Sequence, residues 1–121
     1  MKHKFIIFLI FIAGLFSQSA IVYVFDERVD IVGSSDGSIQ GVQITLSHGL
    51  DFSVNLIDGV LVSEYLTEEN QTVIIIADDQ NISNQIFSYT GSIYISEIIV
   101  AMNLPNQGVQ EINSTVIYES D

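Results

Sequence analysis

Oxygen donors crowd one short stretch of this chain: Asp78-Asp79-Gln80-Asn81, with Ser83 and Asn84 directly behind. Calcium is the ion such a set suits, because a hard cation takes several oxygens from carboxylates, side-chain amides and backbone carbonyls. Asp78, Asp79 and Asn81 are the candidate ligands. The spacing is not that of an EF-hand loop, which requires glycine at its sixth position and glutamate at its twelfth. Transition metals lack ligands, since the chain has no cysteine and two histidines, His3 and His48.

Other groupings point to chemistry less directly. Ser47 and His48 are adjacent, and neighbours on a strand face opposite ways, so they do not form the core of a hydrolytic triad. His48, followed by Gly49, is expected on a solvent-facing turn. Three carboxylate pairs, Asp26-Glu27, Glu68-Glu69 and Asp78-Asp79, could in principle serve as acid and base on a glycoside. Each reads as a solvated turn, because side chains adjacent on a strand diverge and a small domain lacks the deep cleft that would separate their proton affinities. No enzymatic activity is expected. Tyr65, Tyr89, Tyr94 and Tyr118 are the rings available as platforms for sugars, and tryptophan is absent. Asn70, Asn81 and Asn113 each open an Asn-X-Ser/Thr triplet.

What positions these residues begins with an export signal. Lys2 and Lys4 precede the apolar run Phe5 to Phe16, and the small polar residues Ser17-Gln18-Ser19-Ala20 follow it. That order predicts a signal peptide over residues 1–20. Its run is shorter than the roughly 18 to 20 residues a stable transmembrane helix requires, so no membrane span is expected after cleavage. Residues 21–121 are long enough for one domain with a single core and too short for two. The expected location is secreted, extracellular or at the cell surface.

The whole chain has a formal net charge of −12, and cleavage leaves Arg28 as the sole cation against fifteen acids. Nucleic acid is excluded as a partner, because a phosphate backbone demands clustered Lys and Arg. Such one-sided charge instead favours cations or a basic protein surface. Without cysteine, stability must come from the core, and aliphatic and aromatic residues are abundant enough to supply it.

After Ala20 the apolar residues come in short β-branched and aromatic runs separated by Gly, Asn, Asp and Ser, with no sustained helical period. Val42, Ile44 and Leu46 alternate with Gln43 and Thr45; Phe52, Val54 and Leu56 alternate with Ser53 and Asn55. Both predict strands with one wet face. Val60 to Leu66 is a further strand, entered through a tight hairpin at Asp58-Gly59. In Gln71 to Ala77 the run Val73-Ile74-Ile75-Ile76 is apolar on both faces and predicts a doubly covered central strand. Ile93 to Met102 and Val109 to Tyr118 follow, joined by a turn that Pro105 and Gly108 mark. Asp78 to Gly91 reads as a long polar loop or one short helical turn. About seven strands at this spacing predict an all-β fold, an antiparallel β-sandwich of jelly-roll type following the signal helix.

Three segments resemble a cohesin-like domain, the secreted β-sandwich of bacterial scaffolding proteins related to carbohydrate-binding modules. Ile39-Gln40-Gly41-Val42-Gln43-Ile44-Thr45-Leu46 is similar to its early strand. Val73-Ile74-Ile75-Ile76-Ala77-Asp78 resembles its central apolar strand, ending in small and acidic residues, and Phe87-Ser88-Tyr89-Thr90-Gly91-Ser92-Ile93-Tyr94-Ile95 the strand that follows its glycine turn. The resemblance covers about half the chain. It implies a non-enzymatic extracellular module that binds a protein through a sheet face or an edge strand. The alternative is a carbohydrate-binding or calcium-stabilised adhesion domain, whose partner would be a polysaccharide. A flat polar and aliphatic sheet face favours the first, and a strip of exposed aromatics the second.

Overall fold

A computed structural model describes residues 19–34 and 37–119, and almost all of the predicted signal segment lies outside them. Nine strands run in the order β1 (Ser19–Phe25), β2 (Arg28–Gly33), β3 (Ser38–His48), β4 (Ser53–Leu56), β5 (Val62–Glu68), β6 (Gln71–Ala77), β7 (Asn84–Thr90), β8 (Ile93–Leu104) and β9 (Gly108–Tyr118). The described residues contain no helix. The strands form one mixed sheet, ordered β4-β7-β2-β1-β9-β8-β3-β6-β5, which wraps around a single core.

β9 gives the sheet its two leaves. Its first half, Gly108 to Ile112, pairs antiparallel with β8, and its second half, Asn113 to Tyr118, pairs parallel with β1. The β1–β9 pair is the one departure from antiparallel order among the described pairings. It needs no crossover helix, because the whole intervening chain makes the connection. The first leaf is β4-β7-β2-β1 and the second β8-β3-β6-β5.

Inward positions recur with the period of two that a pleated strand imposes. Val22 and Val24 of β1 and Val29 and Ile31 of β2 meet Val42, Ile44 and Leu46 of β3, Ile74 and Ile76 of β6, Phe87 of β7 and Val100 and Met102 of β8 in one buried cluster. The expected strands at Val42 to Leu46, Phe52 to Leu56 and Gln71 to Ala77 are therefore present. So is the β8–β9 hairpin, where Asn106 and Gly108 take positive φ.

Several expectations change. Asp78 to Gly91 is neither a bare loop nor a helical turn, because Asn84–Thr90 is strand β7. Ile86, Phe87 and Tyr89 are buried there, and β7 joins β2 to β4. Asp58-Gly59 is no hairpin. β4 pairs with β7 and β5 with β6, so the chain passes from one leaf to the other, with Gly59 at φ 83°. β6 is flanked by β3 and β5 but is not covered on both faces: Ile74 and Ile76 are fully buried, whereas Ile75 is 38% exposed. Hydrocarbon on the outward side of this strand faces solvent.

Candidate functional site

The outward positions of the second leaf line up in rows across four strands. Glu64 of β5 lies opposite Ile75 of β6, which lies opposite Gln43 of β3, which lies opposite Ile99 of β8. The next row is Leu66, Val73, Thr45 and Glu97, and on the other side runs Val62, Ala77, Gly41 and Ala101. Small residues keep this third row low, and a Cβ on Gly41 would touch that of Ala101 at 3.5 Å. The result is a flat aliphatic and polar face. Leu66 is 65% exposed at one end of this face, with the exposed Glu64 on the same strand and the exposed Glu97 and Glu111 on β8 and β9 at the other end. Between β5 and β6 a groove of about 320 Å3 is lined by Glu64, Tyr65, Leu66, Val73 and Ile75.

No cation balances this face. Arg28, the single Lys or Arg among the described residues, sits on the first leaf with its guanidinium carbon 4.2 Å from the centre of the Phe25 ring. Its Nε lies 3.4 Å from Asp30 Oδ1. That contact pairs the charges without a hydrogen bond, so the buried Oδ1 has Arg28 as a charge partner only.

Two of the candidate calcium ligands, Asn81 and Asp78, each have one side-chain oxygen bonded to a backbone N–H. Asn81 Oδ1 accepts from the N–H of Ile39 at 2.8 Å, and Asp78 Oδ1 accepts from the N–H of Asp79 at 2.9 Å. Ile82 N–H donates to Ile39 O, and Gln40 Nε2 to Asp79 O. Together these bonds tie the β6–β7 connection to the start of β3. Among the described residues no group of three or more His, Cys, Asp or Glu side chains is gathered so as to hold a metal ion.

His48 is the last residue of β3 rather than a free turn residue. Its Nδ1 is 2.8 Å from Gly49 O and its Nε2 is 2.7 Å from Thr72 Oγ1, which is 2.7 Å from Thr67 Oγ1. A carbonyl only accepts, so Nδ1 carries the proton. In the neutral ring Nε2 then takes the Thr72 proton, and Thr72 takes that of Thr67. Phe52 stacks on the imidazole with ring centres 4.0 Å apart. This His48–Thr72–Thr67 chain was not visible in the sequence, because its members come from three strands with no local signature. Ser47 takes no part in it.

The carboxylate pairs fall as expected for turns: Asp26-Glu27 between β1 and β2, Glu68-Glu69 where β5 turns into β6, and Asp78-Asp79 just past β6. The tyrosines do not form one strip. Tyr89 is buried with its hydroxyl donating to Phe25 O, and Tyr65 stands alone on β5. Tyr94 and Tyr118 do pair, exposed, with ring centres 6.4 Å apart and planes 4° from parallel.

No family model matches the chain, and no curated protein matches it. Among solved structures it is similar to a non-cellulosomal cohesin from the hyperthermophilic archaeon Archaeoglobus fulgidus, with a TM-score of 0.50 and 14% identity over 87% of this chain and 91% of that one. It is also similar to a cohesin module from the family 33 glycoside hydrolase of Clostridium perfringens, with a TM-score of 0.50 and 9% identity over 85% of this chain and 98% of that one. These two likenesses, each covering most of both chains, show that the chain has a cohesin-like fold.

Proposed function

We propose that the chain is a secreted, non-enzymatic module that binds another protein through the outward face of β5, β6, β3 and β8. The observation that carries this reading is the row Glu64, Ile75, Gln43, Ile99 with the exposed Leu66 beside it: flat, aliphatic and rimmed by acids. Apolar surface of this kind in a soluble domain is a mark of association, and a polar rim around an apolar centre is the usual anatomy of a protein interface. The charge of the chain directs it toward a basic partner. The apolar segment at Phe5 to Phe16 supports export, and the cohesin-like fold supports a role in an extracellular or cell-surface assembly.

The test is capture from the proteins secreted by the source organism, with wild type and Ile75→Glu/Ile99→Glu compared side by side. A partner retained by the wild type and lost by the variant supports the reading. Equal retention, or none, overturns it.

A carbohydrate-binding reading has one observation in its favour, the parallel exposed rings of Tyr94 and Tyr118. Flat pairs of this sort stack on sugar rings. Retardation of the chain in gels containing soluble polysaccharide, relieved by Tyr94→Ala, would move the assignment to this second class.

A further inference from the structure

The sheet has two ends, and they differ. β4 ends the first leaf with four residues, too short to template much. β5 ends the second leaf with seven, and its backbone ladder lies on the β6 side alone, while Ser63 Oγ donates to Ile57 O in the preceding connection at 3.2 Å. Natural edge strands are blunted by charged side chains, lysine above all, or by proline, bulges or brevity, and the charges on β5 are the two glutamates Glu64 and Glu68. β5 has neither lysine nor proline, and its register with β6 runs unbroken from Val62 opposite Ala77 to Glu68 opposite Gln71. An edge left this regular is open to another strand.

We propose that β5 is a docking edge for an extended, cation-bearing segment of a partner protein, which adds to the sheet as a tenth strand. The proposal rests on the protein-interaction reading and specifies how the partner is held. Main-chain hydrogen bonds to the free side of β5 would supply affinity, and alternate side chains the specificity. On the outward face of β5 those alternate positions are Glu64, Leu66 and Glu68, set by the pairing of Glu64 with Ile75 and Leu66 with Val73. A complementary segment therefore reads basic, any, aliphatic, any, basic, with its aliphatic side chain beside the exposed Leu66. This pattern is symmetric, so it fits either strand direction.

Charge decides against a second copy as the occupant. Two β5 edges laid side by side bring four glutamates, Glu64 and Glu68 of each, onto one face with no cation between them, and like charges across strands destabilise. The same two carboxylates become attractive cross-strand pairs when the incoming strand has Lys or Arg. Within the described residues nothing competes for them, since Arg28 is held by Phe25 and Asp30 on the other leaf.

The experiment uses the chain with its native sequence and two blocked heptapeptides, Thr-Lys-Thr-Val-Thr-Lys-Thr and Thr-Glu-Thr-Val-Thr-Glu-Thr, with amide hydrogen exchange as the readout. The basic peptide should slow every second amide of β5 by about tenfold, an effect that added salt weakens. The acidic peptide should do nothing. Glu64→Lys/Glu68→Lys, at two exposed positions, should exchange the preference and protect β5 with the acidic peptide. Absence of β5 protection, equal protection by both peptides, or a preference that survives the charge reversal would each overturn the edge mode. Those outcomes leave the interaction reading untouched, because it is decided separately by capture and its dependence on Ile75 and Ile99.

Discussion

The hydroxyl of Tyr118 accepts a hydrogen bond from the backbone N–H of Ile95 at 2.9 Å. This side-chain bond stands where a ladder bond would otherwise be. β9 leaves β8 after Ile112 to pair with β1, and the first half of β8 is left without a strand on that side. Tyr118→Phe should lower stability by about 0.5 to 1.5 kcal/mol, measured by urea unfolding, while leaving the ring contact with Tyr94. A loss no larger than that of Tyr94→Phe, whose hydroxyl has no such contact, would remove Tyr118 from this role.

Ile74 and Ile75 are neighbours with opposite fates. Ile74→Ala should cost about 2 to 5 kcal/mol because it opens a cavity in the core, whereas Ile75→Ala should cost less than about 1.5 kcal/mol because much of its surface is already wet. Denaturant midpoints for the two variants give the comparison. Equal losses would mean that the outward face of β6 is covered after all.

Thr72 is fully buried and links His48 to Thr67. Thr72→Val keeps the shape and removes both bonds, so it should cost about 1 to 3 kcal/mol. Thr67→Val should cost less, since Thr67 is exposed and water can replace it. The order of the two melting temperatures checks that Thr72 is the buried link of this chain, and the reverse order would refute it.

Asn81→Ala withdraws the acceptor from the N–H of Ile39, a residue with no exposed surface. The expected loss is about 1 to 2 kcal/mol, the same in calcium as in chelator, because the oxygen already has its partner. A loss that appears only when calcium is present would make this side chain an ion ligand.

Local alternation made β3, β4 and the inward side of β6 legible, because Val42, Ile44 and Leu46 or Ile74 and Ile76 repeat with the period of a pleat. β7 was hidden. Asn84, Gln85, Ser88 and Thr90 give it a polar outer surface, and its inward residues include the adjacent pair Ile86 and Phe87, which breaks the alternation. β1 was hidden by its neighbour, since Ala20 to Phe25 follows closely on the apolar run of the signal. Pairing was the hardest to foresee: Asp58-Gly59 has the composition of a hairpin, yet which strand receives β4 is settled by Phe87 and Tyr89, far along the chain. The bare outward side of β6 was missed for a related reason. An all-apolar run such as Val73 to Ile76 looks the same whether its outer side is covered or bare, and only the cross-strand neighbours distinguish the two.

The parallel pairing of β1 with β9 sets the order in which this molecule can be made. β1 can pair with β2 early, but it cannot gain its second neighbour until β9 has been synthesised, and β9 also closes onto β8. Contacts between segments so distant in sequence slow folding, because the loop must close before the pairing rewards it. A ribosome releasing the chain from its N-terminal end would therefore deliver β1 and β2 early and leave one side of β1 open. Until β9 emerges, no strand joins the two leaves, and the nine-stranded sheet cannot be completed.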